Sequence, residues 1–348
     1  ELARVEAKNA GKIDAGFTLD PAKLAPGADL RMPDVIVVAA NAKGEIVRYY
    51  EAGETASYFG SPFARDAATG AYEPAREGRM IASTGKILAA IAIANGRKDT
   101  VDSLYLDRAA GGAARGRRAL VAFACSLNQP LEWRVGHLGQ ARIGRLVDRF
   151  GFNMPFARTA EEATPPSTAA VRGLVAGSPR RVHQMAGVVL ASLTGDGHRA
   201  VPLPSLVRAY DYAQAGTTRP APEAAMQPIV PNKLIADAAR PLIKSFLQAP
   251  LCHTVGAAPQ GTLKALSPWC AARRSDLKLH FPKTGTSVGS DINATVDAWI
   301  TGGLQFSNGA AYSYVVVVGT GNPSRPWSRS LHAGQIAVPL LEVLLNDL

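Results

Sequence analysis

Ser83 and Lys86 are the first residues of this chain whose types and spacing could do chemistry. They bound the stretch Ser83-Thr84-Gly85-Lys86, which runs straight into an apolar segment, Ile87–Ala94. Three residues apart on a helix, two side chains share one face, close enough for an amine to reach a hydroxyl. A lysine amine can serve as a base for a serine once it is uncharged, and burial beside a second cation favours the uncharged form. The chemistry that suits the pair is acyl transfer, with the serine oxygen as nucleophile.

Two more short motifs follow. Ser126-Leu127-Asn128 begins 43 residues after Ser83, and Lys283-Thr284-Gly285-Thr286 begins 157 residues after Ser126. Taken singly they mean little. Ser-x-x-Lys arises by chance in a chain of this size, Ser-x-Asn is common at caps and turns, and Lys-Thr-Gly-Thr can end a strand before a turn. Their occurrence together, in this order, on a helix start, a loop and a strand, is the specific signal.

The elements that must position these residues can be read from pattern. Ser83 stands where an N-cap belongs and Gly96 where a C′ glycine ends a helix, predicting a helix over 83–95. Ile87, Leu88, Ile91 and the surrounding alanines leave almost no polar face, so that helix is expected to be central and buried. Asp34–Ala40 and Glu45–Tyr50 read as two strands around a short turn. Leu277–Thr286, Thr295–Gln305 and Ala311–Gly319 read as three more. Between them, 103–128 is expected to be helical in part, Leu131–Arg149 is an amphipathic helix and Thr159–Ala170 a polar loop. Ser178-Pro179 opens a helix through Leu193, with Pro at the first helical position and Gly195 past the end. Residues 213–231 make a proline-rich connection, and 232–248 a helix. A last helix spans Gln335–Leu345, with Pro339 tolerated only in its first turn. Short turns between the last three strands imply antiparallel pairing, so the fold class is α+β: a five-stranded antiparallel sheet flanked by helices, with a largely helical subdomain.

The three motifs are those of the penicillin-binding proteins and serine β-lactamases, and the chain resembles that superfamily. More narrowly it resembles the transpeptidase domain of bifunctional (class A) penicillin-binding proteins. Arg149-Phe-Gly-Phe152 is similar to the segment that follows Ser-x-Asn there, and Gly177-Ser178-Pro179 to the start of the next helix. Lys283–Thr286 with Asp297-Ala-Trp-Ile-Thr-Gly-Gly303 is similar to the family's paired strands, and Val315–Gly321 to its final strand. The likeness spans roughly 30–345. Residues 97–120 depart from it, being short and rich in Gly and Arg, and the sequence is expected to be either an excised domain or a stand-alone relative.

The resemblance implies one transpeptidase domain over 1–348, its sheet part drawn from 30–82 and 275–348 and its helical part from 83–274. It implies Ser83 as nucleophile, Lys86 as base, Ser126 as proton relay and Lys283 as a second catalytic cation. Asn128 would hold a substrate amide or Lys86. Thr284 and Thr286, with Lys283, would bind a substrate carboxylate, and Gly285 would let the substrate backbone come close. The backbone N–H groups of Ser83 and Thr286 would form the oxyanion hole. Expected ligands are peptidoglycan stem peptides and β-lactam antibiotics, with cell-wall synthesis proteins as further partners. An extracytoplasmic location is expected, periplasmic or on the outer face of the inner membrane, anchored by an N-terminal segment. A DD-carboxypeptidase or β-lactamase, with water as acceptor, and a non-catalytic sensor domain for wall peptides stay open. Glu161 and Glu162 are the carboxylates nearest to a deacylating role, in what reads as a solvated turn.

Composition sets the outer bounds. The chain has 348 residues, 47% of them hydrophobic and 19% charged, with a formal net charge of +10. That is ample for a core, and no apolar run approaches the length of a membrane span. The positive balance fits an anionic partner, but no nucleic-acid-binding module accompanies it. Three cysteines make no disulfide scaffold, although Cys252 and Cys270 could pair in an oxidising compartment. No Cys/His spacing suggests a metal site, no cofactor motif is present, and Gly78–Lys86 has the wrong spacing for a P-loop.

Overall fold

The structure, a computed structural model, describes residues 33–53, 58, 79–96, 119–155, 163–206, 209–212, 217–220, 228–252, 254–255, 258–259, 261–273, 275–288, 294–321, 327–329 and 332–348. Five strands carry the sheet: β1 (Asp34–Asn41), β2 (Ile46–Ala52), and, after the two-residue strands β3 (Arg79–Met80) and β4 (Ala176–Gly177), β5 (Leu277–Val288), β6 (Ala294–Phe306) and β7 (Ala311–Gly319). Their order is β2-β1-β7-β6-β5, every neighbour antiparallel. The strand β8 (Ser328–Arg329) adds a short pairing to the start of β6. The predicted α+β class with its five antiparallel strands is what the chain adopts.

The valine run of β7 explains the layering. A central strand covered on both faces needs no polar alternation. Val315 and Val317 point into one apolar cluster, while Tyr314, Val316 and Val318 point into another. Ile36 and Val38 of β1 join the first cluster, Val35 and Ala39 the second. Helix α1 (Lys86–Gly96) and α6 (Pro179–Thr194) fill the first layer, and α9 (Ala333–Asn346) covers the other face. The remaining helices are α2 (Ala119–Ala124), α3 (Asn128–Gly136), α4 (Gln140–Arg149), α5 (Pro166–Arg172), α7 (Arg240–Cys252) and α8 (Ser267–Ala272). None of the described helices is long and apolar enough to cross a membrane.

Several expectations need correcting. Ser83 is not an N-cap: a 3-10 turn over Ala82–Gly85 precedes α1, and Ile81 caps it without a side-chain bond. The helix expected over Leu131–Arg149 is two, because Gly139 turns at φ 90° between α3 and α4. Within the expected loop Thr159–Ala170, Pro166 opens α5, a position where the missing N–H costs nothing. The helix expected at 232–248 starts later, at Arg240, behind 3-10 turns at Pro231–Lys233 and Asp237–Ala239. Pro339 lies seven residues into α9, beyond its first turn. Packing against the sheet offsets the hydrogen bond that proline forfeits there. The helix opened by Ser178-Pro179 does form, with the Ser178 hydroxyl accepting from Arg181 N and Gly195 at φ 97°. The readings of 1–32, of most of 51–78 and of 97–118, like Glu161, Glu162 and the Cys252 side chain, fall outside the described residues.

Candidate active site

Helix α1 is the site's foundation. Its residues Lys86–Ala94 are all buried, which fixes Ser83 on the preceding turn at the edge of the helical layer. That turn rests on two glycines. Gly173, at φ 70° after α5, lies so close that a Cβ there would stand 1.9 Å from the Ala82 carbonyl carbon. Gly285 on β5 faces the turn from the sheet side, where a Cβ would stand 3.0 Å from the backbone nitrogens of Ser83 and Thr84. Gly285 thus leaves room for the turn that carries Ser83. Ala82 takes a left-handed φ of 50° to pass between them.

Lys86 reaches back over one turn. Its Nζ lies 2.7 Å from Ser83 Oγ and 2.7 Å from Asn128 Oδ1. Burial lowers its pKa to about 7, against an opposing pull from the Glu132 carboxylate. Lys283 lies deeper, and burial followed by the like charge of Lys86 holds it well below the usual lysine range. The expected assistance between the cations thus acts on Lys283, whereas desolvation alone lowers Lys86. Lys283 Nζ donates to Ser126 Oγ at 3.1 Å and to its neighbour's carbonyl, Thr284 O, at 2.9 Å, with the Phe123 ring centroid 5.6 Å away.

Ser126 sits at φ 57°, a conformation that costs a residue with a Cβ roughly 1 kcal/mol or more. The turn that imposes it is closed by Ser126 N donating to Phe123 O and Leu127 N to Ala122 O. It aims the hydroxyl at Lys283.

Strand alternation splits the Lys-Thr-Gly-Thr motif. Lys283 and Gly285 face the helical layer, while Thr284 and Thr286 face away from it. Thr284 Oγ1 donates to Thr262 Oγ1 at 3.0 Å, and Thr286 Oγ1 accepts from Ala333 N, at the start of α9, at 3.0 Å. The structure brings Ser83, Lys86, Ser126, Asn128 and Lys283 together around one point and stations the two threonines on the far side of β5, an edge strand.

Other residues had no motif to announce them. Arg79 on β3, four residues before Ser83, donates through Nη1 to Asp297 Oδ1 at 2.7 Å and through Nη2 to Asp34 Oδ2 at 2.5 Å. All three are buried, and they lock the strand that leads into Ser83 to β1 and β6. Thr262 reaches the site by long-range folding, Phe123 closes the turn that carries Ser126 and lies under Lys283, and Glu132, one helical turn after Asn128, acts on Lys86 through its charge. The scattered histidines take structural places: His183 bonds Tyr58 at 2.6 Å and His280 bonds Tyr314 at 2.9 Å, both rings buried. Cys270 Sγ lies 3.8 Å from His280 Nδ1. Among the described residues no group of three or more His, Cys, Asp or Glu could hold a metal ion.

No protein-family model and no curated protein matches the sequence. Solved structures do match its fold. Penicillin-binding protein 1A from Haemophilus influenzae superposes with a TM-score of 0.55 at 16% identity, over 91% of this chain and 48% of that one. Penicillin binding protein 3 from Mycobacterium tuberculosis, complexed with aztreonam, gives 0.54 at 15% identity, over 92% and 73%. PonA1 from Mycobacterium tuberculosis gives 0.51 at 16% identity, over 98% and 79%. With its sheet order, its buried central helix and these likenesses, the chain has the fold of the penicillin-binding proteins.

Proposed function

We propose that the chain is a peptidoglycan DD-transpeptidase domain working through an acyl-serine intermediate. One observation carries the reading: Lys86 Nζ, with a pKa lowered to about 7, stands 2.7 Å from Ser83 Oγ. A base poised near the working pH and within hydrogen-bond reach of its proton is what nucleophile activation needs.

In this reading neutral Lys86 takes the Ser83 proton as Oγ adds to the penultimate D-Ala carbonyl of a stem peptide ending in D-Ala-D-Ala. The N–H groups of Ser83 and Thr286 stabilise the oxyanion, each worth about 10²–10³ in rate. As the C–N bond breaks, the proton passes from Lys86 through the Ser126 hydroxyl to the departing amine. Terminal D-Ala leaves and the peptide remains as an ester on Ser83. An amine of a neighbouring stem peptide then attacks the ester, its proton returns by the same route, and Ser83 is restored with a new cross-link. A β-lactam undergoes the first step by ring opening and stays attached.

Substrate groups have partners of suitable chemistry. Thr286 Oγ1 accepts from Ala333 N and the Thr284 O–H is spent on Thr262, so a substrate carboxylate at the serine would meet Lys283 first and would reach the Thr286 hydroxyl only around the open edge of β5. An arriving carboxylate favours proton uptake by the buried Lys283. Asn128 steadies Lys86 and can turn to a substrate amide. The domain acts as one unit over 1–348 on the extracytoplasmic side of the membrane, beside other wall-building proteins.

Intact-mass spectrometry after incubation with benzylpenicillin tests this. The expected result is a lasting adduct of one penicilloyl group, absent from Ser83→Ala. Neither adduct nor turnover overturns the enzymatic reading, and turnover without an adduct makes the protein a β-lactamase.

A further inference from the structure

One ion pair outside the three motifs reaches the base. Glu132 lies on α3 a single turn beyond Asn128, so both project from the same side of that helix. Arg172, the last residue of α5, grips it with both arms: Nε is 2.6 Å from Oε1 and Nη2 is 3.2 Å from Oε2. The carboxylate side chain is only 16% exposed, the guanidinium 54%.

Each partner sits next to a residue that holds the site. On the Glu132 side, Asn128 takes a hydrogen bond from Lys86 at 2.7 Å. On the Arg172 side, the following residue, Gly173, accepts from Ala82 N at 3.0 Å and fills the space beneath the Ser83 turn. The pair thus bridges the element that holds the amine and the element that supports the nucleophile. We infer that Glu132 is a positioning residue for Lys86, favouring its protonated form through space, and that Arg172 moderates this pull by neutralising Glu132.

Among the described residues, the surroundings leave this carboxylate as the negative charge acting on the amine. Burial disfavours the ammonium form, and Glu132 favours it. Lys283 on β5 is a like charge. On α4, Arg142 reaches Gly96 at the far end of α1, and the Asp237–Arg240 pair lies beside Asn95 at that same end, roughly 15 Å along the helix axis. Arg145, Asp148 and Arg149 on α4 and Lys244 on α7 are exposed to solvent, where their fields are screened. Arg134, two residues after Glu132, projects from another side of α3.

Neutralising Glu132 removes a pull that keeps the proton on Lys86, so Glu132→Gln should lower the Lys86 titration midpoint. Removing its counter-ion strengthens that pull, so Arg172→Gln should raise it. The two shifts are expected to be opposite in sign, each about half a unit to one unit. The double variant should follow Glu132→Gln, and Arg172→Lys should restore much of the original midpoint.

The measurement is a titration of protein carrying ¹³C at the lysine ε-carbons, with Lys86 assigned from the signal lost in Lys86→Met. A merely structural clamp would move both midpoints the same way or leave both in place, and either result overturns the inference. If Glu132→Gln does not fold, Arg172→Gln and Arg172→Lys at the exposed partner decide alone: an unmoved or lowered midpoint overturns it. The acid limb of the pH profile for benzylpenicillin acylation should track the same shifts. That second arm rests on the acyl-serine reading, whereas the titration needs no activity, so failure of one is distinct from failure of the other.

Discussion

Lys86 Nζ and Ser83 Oγ stand 2.7 Å apart across one helical turn, and burial, not a neighbouring cation, brings the amine to about pH 7. Lys86 is held where its charged form is costly. Because the folded-state value lies below the ordinary lysine value of 10.5, the protein loses stability as pH falls from about 10.5 to about 7, and the penalty is complete below that.

Lys86→Met should therefore stabilise the protein while abolishing acylation. The gain should be on the order of 4 kcal/mol at pH 7 and should shrink towards pH 10. Urea unfolding at several pH values checks the first part. Benzylpenicillin labelling, expected to fall at least about 100-fold, checks the second.

Ser126→Gly separates strain from function in another way. Glycine adopts φ 57° without penalty, so the variant should be no less stable than the parent and up to about 1 kcal/mol more so. It lacks the hydroxyl that Lys283 touches, and acylation should fall about 10²-fold or more. Calorimetry and labelling rates read the two effects separately. A destabilised but fully active variant would contradict both.

Gly173→Ala and Gly285→Ala should rank in that order of damage. At Gly173 the added methyl meets the Ala82 backbone at 1.9 Å and φ is 70°, while at Gly285 it meets Ser83 N and Thr84 N at 3.0 Å. The first should cost more than about 3 kcal/mol. The second should cost about 1–3 kcal/mol and displace the nucleophile, so that labelling falls even where the protein stays folded. Thermal melts beside labelling rates distinguish them.

Arg79→Met leaves two buried carboxylates, Asp34 and Asp297, without their shared cation. The expected loss is about 3–5 kcal/mol. Burial already raises the Asp297 pKa, and Arg79 opposes that rise. Without the guanidinium Asp297 takes a proton more readily, so the deficit should narrow as pH falls towards 4. Denaturant titrations at pH 7 and pH 4.5 test the sign.

The Ser83–Lys86 contact was legible because i, i+3 spacing on a helix fixes a distance whatever the rest of the chain does. The strands were legible for a similar reason, since the buried runs of β1 and β7 permit little else. What pattern could not show was any partner chosen by tertiary folding. Arg79 meets Asp297 across 218 residues and Arg172 meets Glu132 across 40, and no local rule joins them. Hydroxyl residues before an apolar run usually cap, but Ser83 lies inside a 3-10 turn with Ile81 at the cap, and its hydroxyl accepts from Lys86. The single helix over 131–149 failed at Gly139, where a periodic pattern continues across a break that only a positive φ reveals. Pro339 shows the converse, a helix breaker outvoted by Ile336, Leu340, Leu341 and Leu344 packing on the sheet.

The two glycines that bracket the Ala82–Gly85 turn also limit how this protein can change over time. Any larger residue at 173 or 285 would shift Ser83 itself, so on the proposed function selection for a new acyl donor or against an inhibitor could not act beneath the serine without displacing it. Change is left to positions that do not touch the Ala82–Gly85 turn.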